Sequence, residues 1–395
     1  MDSSLSVYDT SFFMAEGNDS WPSEEGQDPP PAVENLISVV LWLLCAVIVI
    51  GNILVISAFV RDRELRVKPA NLFILNLSIS DLMVGLISIS FYNIWERHTE
   101  SWIFGEVVCK LWTIVDYTAT TQSAMAIVLI SFDRVMLVSK GLKYREYITL
   151  RLTLFLIVSS WIWSFSLNSI PILFSDTVTV PWVDYGLSCD FGILYQFVYK
   201  MTAIIFSFVI PFVCLAIFNV IVYNNIRARS RGVYSSHSNT ARRTDGAPVR
   251  CNSQGRGTSE YKKHRKAAIT LALIVGVFLT CWLPWSVNKL VSLIAIYTEE
   301  SSITDALAYL LWSNSAINPF LYAVTHPRIR TGLIACLLCC VPAKFRPRRV
   351  RGGFQNTDYN QMTGRSRARC GTGTTITASG GGNSNNDCSK RGSSV

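Results

Sequence analysis

Charge is scarce in this sequence: Asp, Glu, Lys and Arg make up 16% of its 395 residues, while hydrophobic residues reach 50%. With a mean hydropathy of +0.31, that shortage excludes an ordinary soluble protein and points to a chain surrounded largely by hydrocarbon. Basic residues are missing ahead of Arg61, where the charges are acids such as Asp2, Asp9, Glu16, Asp19, Glu24 and Glu34. The start therefore lacks the basic segment and apolar core of a signal peptide, and the first apolar run must act as the insertion signal. No loop pairs a nucleophile with a base or spaces ligands for a metal, which argues against an enzyme.

What is present is a series of apolar runs of span length. They number seven, at roughly 36–60, 70–92, 107–138, 151–174, 193–225, 265–296 and 303–325, each about long enough to cross a bilayer as a helix. The expected fold is an all-α membrane protein, a seven-transmembrane helix bundle, with a short amphipathic helix over 326–340 on the inner membrane face. Arg61, Arg63, Arg66 and Lys68, then Lys140, Lys143 and Arg145, then a basic 227–266 segment mark the cytoplasmic loops. The N-terminus is thus expected outside and the C-terminus inside. The net charge of +9 reads as this bias and as attraction to anionic lipid, not as nucleic-acid binding.

Within the third run one carboxylate, Asp116, stands alone, and a charged pair, Asp133-Arg134, closes it. An ionised side chain inside a membrane is costly without a partner, so Asp116 is a candidate counter-ion for a cationic ligand. As one helix, this run places Arg134 roughly 27 Å below Asp116. Asp81 is a second intramembrane carboxylate, whose partner must be a distant side chain, a water or a cation. Asn52 must likewise bond to a neighbouring span. Of the 11 cysteines, only Cys109 and Cys189 fall where oxidation is possible, and their pairing would tie the loop after span four over span three as a lid.

Residues 1–35 form an acidic, disordered N-terminus, with Asn18 a glycosylation acceptor; 36–340 form the helical domain; and 341–395 form a disordered tail. Within the domain, 227–264 is the third intracellular loop, its ends extending spans five and six as helices. Pro211 in span five permits a local bulge, with Ser207 one turn above it. Cys336, Cys339 and Cys340 are palmitoylation candidates, and Thr374, Thr375, Thr377 and Ser379 phosphorylation candidates.

Gly51-Asn52, Leu77 with Asp81, Cys109 with Asp133-Arg134, Trp161, Pro211, Cys281-Trp282-Leu283-Pro284 and Asn318-Pro319-Phe320-Leu321-Tyr322, in that order, resemble the rhodopsin-like G protein-coupled receptors. Asp116-Tyr117 is similar to the biogenic-amine group. The stretches Cys109–Trp112 and Ile127–Arg134, with Trp312, resemble histamine receptors that act through inhibitory G proteins; muscarinic acetylcholine receptors come next. The resemblance implies an amine held by Asp116 with Tyr117, Thr120, Ser207, Trp282, Trp285 and Trp312. It also implies a sodium site at Asp81, Ser123, Asn314 and Asn318, the ion an allosteric ligand and no further cofactor being expected. Asp133, Arg134, Pro319 and Tyr322 become the switch toward a heterotrimeric G protein, with arrestin and receptor kinases as further partners in the plasma membrane.

Three departures stand out. Ser207 occupies the place of a glutamate that meets imidazole in the histamine group; Trp285 replaces a tyrosine, with Lys289 one turn above; and Val135 and His264 replace residues that restrain the arginine, so basal activity is expected. A light receptor is excluded by the absence of lysine from 303–325. A transporter or channel would need a chain of ionisable groups, and two aspartates make a thin relay.

Overall fold

The computed structural model describes residues 30–97, 102–174, 189, 197–241, 254–295 and 301–338. They are helical almost throughout. α1 spans Pro31–Arg61. α2 runs over Pro69–Met83, a π-helical turn at Val84–Ile89 and Ser90–Arg97. α3 is Gly105–Lys140, α4 Leu150–Leu173. α5 joins Phe197–Ile204, a second π-helical turn at Ile205–Val209 and Ile210–Ala241. α6 is Gln254–Ala295, α7 Ser301–Thr325 and the short α8 Pro327–Leu337.

The expected spans are all found, with shifted ends. α1 begins at Pro31, inside the segment expected to be disordered, because proline suits the first helical turn and Glu34 complements the helix dipole there. α3 stops at Gly141, whose φ of 53° favours glycine. Thr149 caps α4 by accepting the Leu152 N–H at 3.3 Å. The bulge expected near Pro211 is the π-helical turn just upstream of it. α8 ends at Leu337, short of the expected 340. In the segment 227–264, α5 continues to Ala241 and α6 starts at Gln254, and 242–253 lies outside the described residues, as do Asn18, Cys339, Cys340 and the tail.

Among the described residues six helices, α1 to α6, are long and apolar enough to cross a membrane. α7 falls outside that set because Asp305, Asn314, Ser315 and Asn318 interrupt its apolar sequence. It is nonetheless a member of the bundle, packed against α1, α2 and α6. Gly51 makes the first of these contacts possible: a Cβ there would lie 2.9 Å from Pro319 Cγ.

α3 sits at the centre, touching α2, α4, α5 and α6. Leu77, Ile127, Leu215, Phe278, Trp282 and Tyr322 belong to one buried cluster around it. The outward faces of α1, α4 and α5 carry exposed Leu43, Phe155, Ile162 and Val220, the surface a helix presents to hydrocarbon once its backbone bonds are closed internally. α8 is held to the end of α1 by Arg328, whose Nε donates to Asp62 Oδ2 at 2.8 Å and whose guanidinium also meets Glu64.

Candidate functional site

At one end of α3 a disulfide joins Cys109 to Cys189, with Cα atoms 5.6 Å apart. The expected pairing is therefore present; the rest of the expected lid lies outside the described residues. In the same cluster Trp95, Trp102 and Trp112 meet with centroids 5.4 to 6.0 Å apart, Trp95 edge-on to the other two. Tyr117 joins the apolar cluster that contains this disulfide.

Asp116 lies about two turns below Cys109 along α3. Its Oδ1 is buried and accepts no hydrogen bond, and no ion pair reaches it among the described residues. Ser88, from the π-helical turn of α2, lies beside the carboxylate. Trp312 is buried against α2, its ring 5.2 Å from that of Tyr92 and 6.1 Å from that of Tyr309. The two tyrosine hydroxyls are 3.3 Å apart. Trp282 stacks on Phe278 at 5.1 Å, deep in α6.

Lys289 stands 5.7 Å from the Trp285 ring centroid, and Asp305 faces both its ammonium and the Tyr92 hydroxyl. Asp305 thus sets an acidic group near the Lys289 charge from α7. Asp305 was missed in sequence because only the α6–α7 packing brings it to Lys289. Ser207 reaches Thr121 Oγ1 at 3.4 Å, and Asn168 Nδ2 donates to the same Thr121 oxygen at 3.2 Å. Thr120, expected at the ligand, makes no side-chain hydrogen bond among the described residues. One residue of helical rotation, about 100°, separates the two threonines.

Lower in the bundle, Asp81 collects three donors: Ser123 at 3.2 Å, Ser315 at 2.8 Å and Asn318 at 2.8 Å. Ser315 was not expected there. Carboxylate and hydroxyl oxygens of the kind a hard cation takes meet here; Asn314, also expected in the site, makes no hydrogen bond to Asp81, and its Oδ1 is buried without a partner. Asn52 bonds across to the Ser315 carbonyl at 3.3 Å, as its burial required.

At the far end of α3, Arg134 Nε lies 3.8 Å from Asp133 Oδ2, and the Tyr144 hydroxyl donates to Asp133 Oδ1. Burial first, then the Asp133 charge and this bond, push the Tyr144 hydroxyl above its ordinary pKa. The His264 side chain lies outside the described residues. Tyr322 is fully buried, and Pro319 lies inside α7. Cys336 is also buried, on a helix that packs against α1 and α7.

The described helices form a multi-pass bundle packed around α3, with a polar cluster at Asp81 in its core. Residues 51–322 match the family described as "7 transmembrane receptor (rhodopsin family)". The chain belongs to that family, whose members are receptors and not enzymes. It is 32% identical to the histamine H4 receptor of Homo sapiens over 355 residues, 74% of this chain and 89% of the relative. It is 29% identical to 5-hydroxytryptamine receptor 4 of Cavia porcellus, covering 80% and 83% of the two chains. With octopamine receptor beta-2R of Chilo suppressalis the identity is 28%, covering 80% and 84%.

Proposed function

We propose that this chain is a plasma-membrane G protein-coupled receptor for a biogenic amine, histamine-like in its ligand, that couples to inhibitory G proteins and lowers cyclic AMP. The observation that carries this reading is the Asp116 carboxylate, buried at Oδ1 and without a counter-charge among the described residues. An ammonium relieves that cost by charge-assisted hydrogen bonding. The relatives named for histamine, 5-hydroxytryptamine and octopamine support the same class of ligand.

The acidic, Lys- and Arg-free N-terminal segment and the basic loops support an outside N-terminus and a cytoplasmic C-terminus. Signalling is then a population shift: an amine that binds the open form better exposes Arg134 to the G protein. Sodium at Asp81, Ser123, Asn314, Ser315 and Asn318 would favour the closed form. Arrestin and receptor kinases would read the tail, and of the acylation candidates Cys339 and Cys340 take precedence over buried Cys336.

A hydroxylated monoamine is the second reading. It is favoured by the Ser207, Thr121 and Asn168 cluster, which offers neutral hydrogen bonds where an imidazole-binding carboxylate would otherwise stand. The test is a panel of histamine, acetylcholine, 5-hydroxytryptamine, octopamine and tyramine on cells expressing the chain, read as cyclic AMP. A dose-dependent fall with one of them is expected; silence to all at verified surface expression contradicts the reading.

A further inference from the structure

Ser88 is fully buried with no close hydrogen-bond partner for its hydroxyl, which reaches the Asp116 carboxylate only at longer range. Serines and threonines inside this bundle usually close onto a carbonyl of their own helix, as Thr113, Ser131 and Ser286 do at 2.9 Å. In the π-helical turn the nearby Gly85 carbonyl is already taken by the Ser90 hydroxyl and the Cys45 thiol, both at 3.1 Å. The Ser88 backbone is in turn fixed to α3, since Trp112 Nε1 donates to its carbonyl at 3.4 Å. Ser38, Ser78, Thr118 and Thr153 are also buried without partners. Ser88 differs in facing the Asp116 carboxylate, whose Oδ1 likewise has no close partner, so its oxygen lone pairs stay free to accept.

We propose that Ser88 and Asp116 form a two-acceptor clamp for the cationic head of the ligand, selecting a head with at least two N–H donors over a fully methylated one. This rests on Asp116 being the ammonium counter-ion. A primary ammonium gives one N–H to the carboxylate and a second to Ser88 Oγ, and the Ser88 proton turns to Asp116 Oδ1, so every polar atom in the triangle is satisfied. A trimethylammonium has no N–H. It keeps the Coulomb attraction and the aromatic faces, but seals Ser88 Oγ away from water with nothing to accept, and a buried polar group left unmatched is costly.

The test uses full-length receptor in lipid nanodiscs, with histamine, tyramine and the trimethylammonium analogue of each as probes and ligand-induced thermal stabilisation giving affinity. Wild type is expected to bind the better primary amine about tenfold more tightly than its trimethyl analogue. Ser88→Ala should weaken the primary amine roughly three- to tenfold, leave the quaternary one within about twofold and so collapse the ratio. Ser88→Thr should preserve the ratio, and Ser88→Cys, similar in size but a weak acceptor, should reproduce the alanine result. An unchanged ratio in Ser88→Ala and Ser88→Cys, with binding lost in Asp116→Asn, overturns the clamp and leaves the counter-ion standing. Equal wild-type affinity for primary and quaternary heads also overturns it. Binding that survives Asp116→Asn, or absent from wild type for all four probes, overturns the underlying reading as well.

Discussion

Asn318 donates from Nδ2 to Asp81 Oδ2 at 2.8 Å across 237 residues of chain, fastening α7 to α2 at the middle of the bundle. Ser123 and Ser315 converge on the other carboxylate oxygen, so this one side chain gathers α2, α3 and α7.

Asp81→Ala strands these three donors, each at a cost of about 1–3 kcal/mol. Thermal unfolding of the purified variant should begin several degrees lower, while Asp81→Asn, which keeps an acceptor, should fall between. If sodium uses this site, replacing NaCl with N-methylglucamine chloride should raise agonist potency in wild type and leave Asp81→Asn unchanged. An equal response in both would remove Asp81 from the ion site.

Tyr144→Phe removes the hydrogen bond that holds Asp133 and should raise basal signalling, measured as cyclic AMP without ligand. The sign with pH follows from the raised tyrosine pKa, which starts from an ordinary 10.0. The bond's contribution is fully present below that value and declines only as pH climbs through the higher folded-state pKa. The difference between wild type and Tyr144→Phe should therefore be flat from about pH 6 to 9. A steep change in that window would assign the effect to another group.

Arg328→Ala should loosen α8, because it leaves Asp62, 3% exposed, without its cation. A loss of about 1–3 kcal/mol is expected. Arg328→Lys should restore only part of it, since an ammonium cannot span Asp62 and Glu64 as the guanidinium fork does. Amide exchange over 327–337 provides the measurement: faster exchange in the alanine variant supports the tether, unchanged exchange contradicts it.

Gly51→Val probes the approach of α1 to the α7 proline. Even a Cβ meets Pro319 Cγ at 2.9 Å, so overpacking of about 1–3 kcal/mol should appear as a lower unfolding temperature. An unchanged temperature would mean that α1 and α7 do not hold this spacing.

Much of this was legible in the sequence because membrane burial makes rare polar residues conspicuous. Asp81, Asp116 and Asn52 declare themselves against aliphatic neighbours, and apolar length alone marks the spans. What stayed hidden depends on tertiary contact. Asp305 reads as a solvated residue near the start of a span until α6 sets Lys289 opposite it. Ser315 is indistinguishable from its neighbours until α7 rotates it onto Asp81. Ser88 looks like an ordinary helix serine; the π-helical turn and its position beside Asp116 give it a different character. Thr121 carries no mark in sequence; only the packed bundle sets its hydroxyl against Ser207 of α5.

The most direct test is Asp116→Asn beside Asp116→Glu, with surface expression matched by an N-terminal epitope and the amine panel read as both binding and cyclic AMP. The account predicts that the amide, similar in shape but uncharged, loses amine affinity by at least about a hundredfold, as removal of a desolvated charge pair should. Asp116→Glu should retain part of the response. An Asp116→Asn receptor that reaches the surface and responds to its amine like wild type would contradict the claim that this carboxylate holds the ligand.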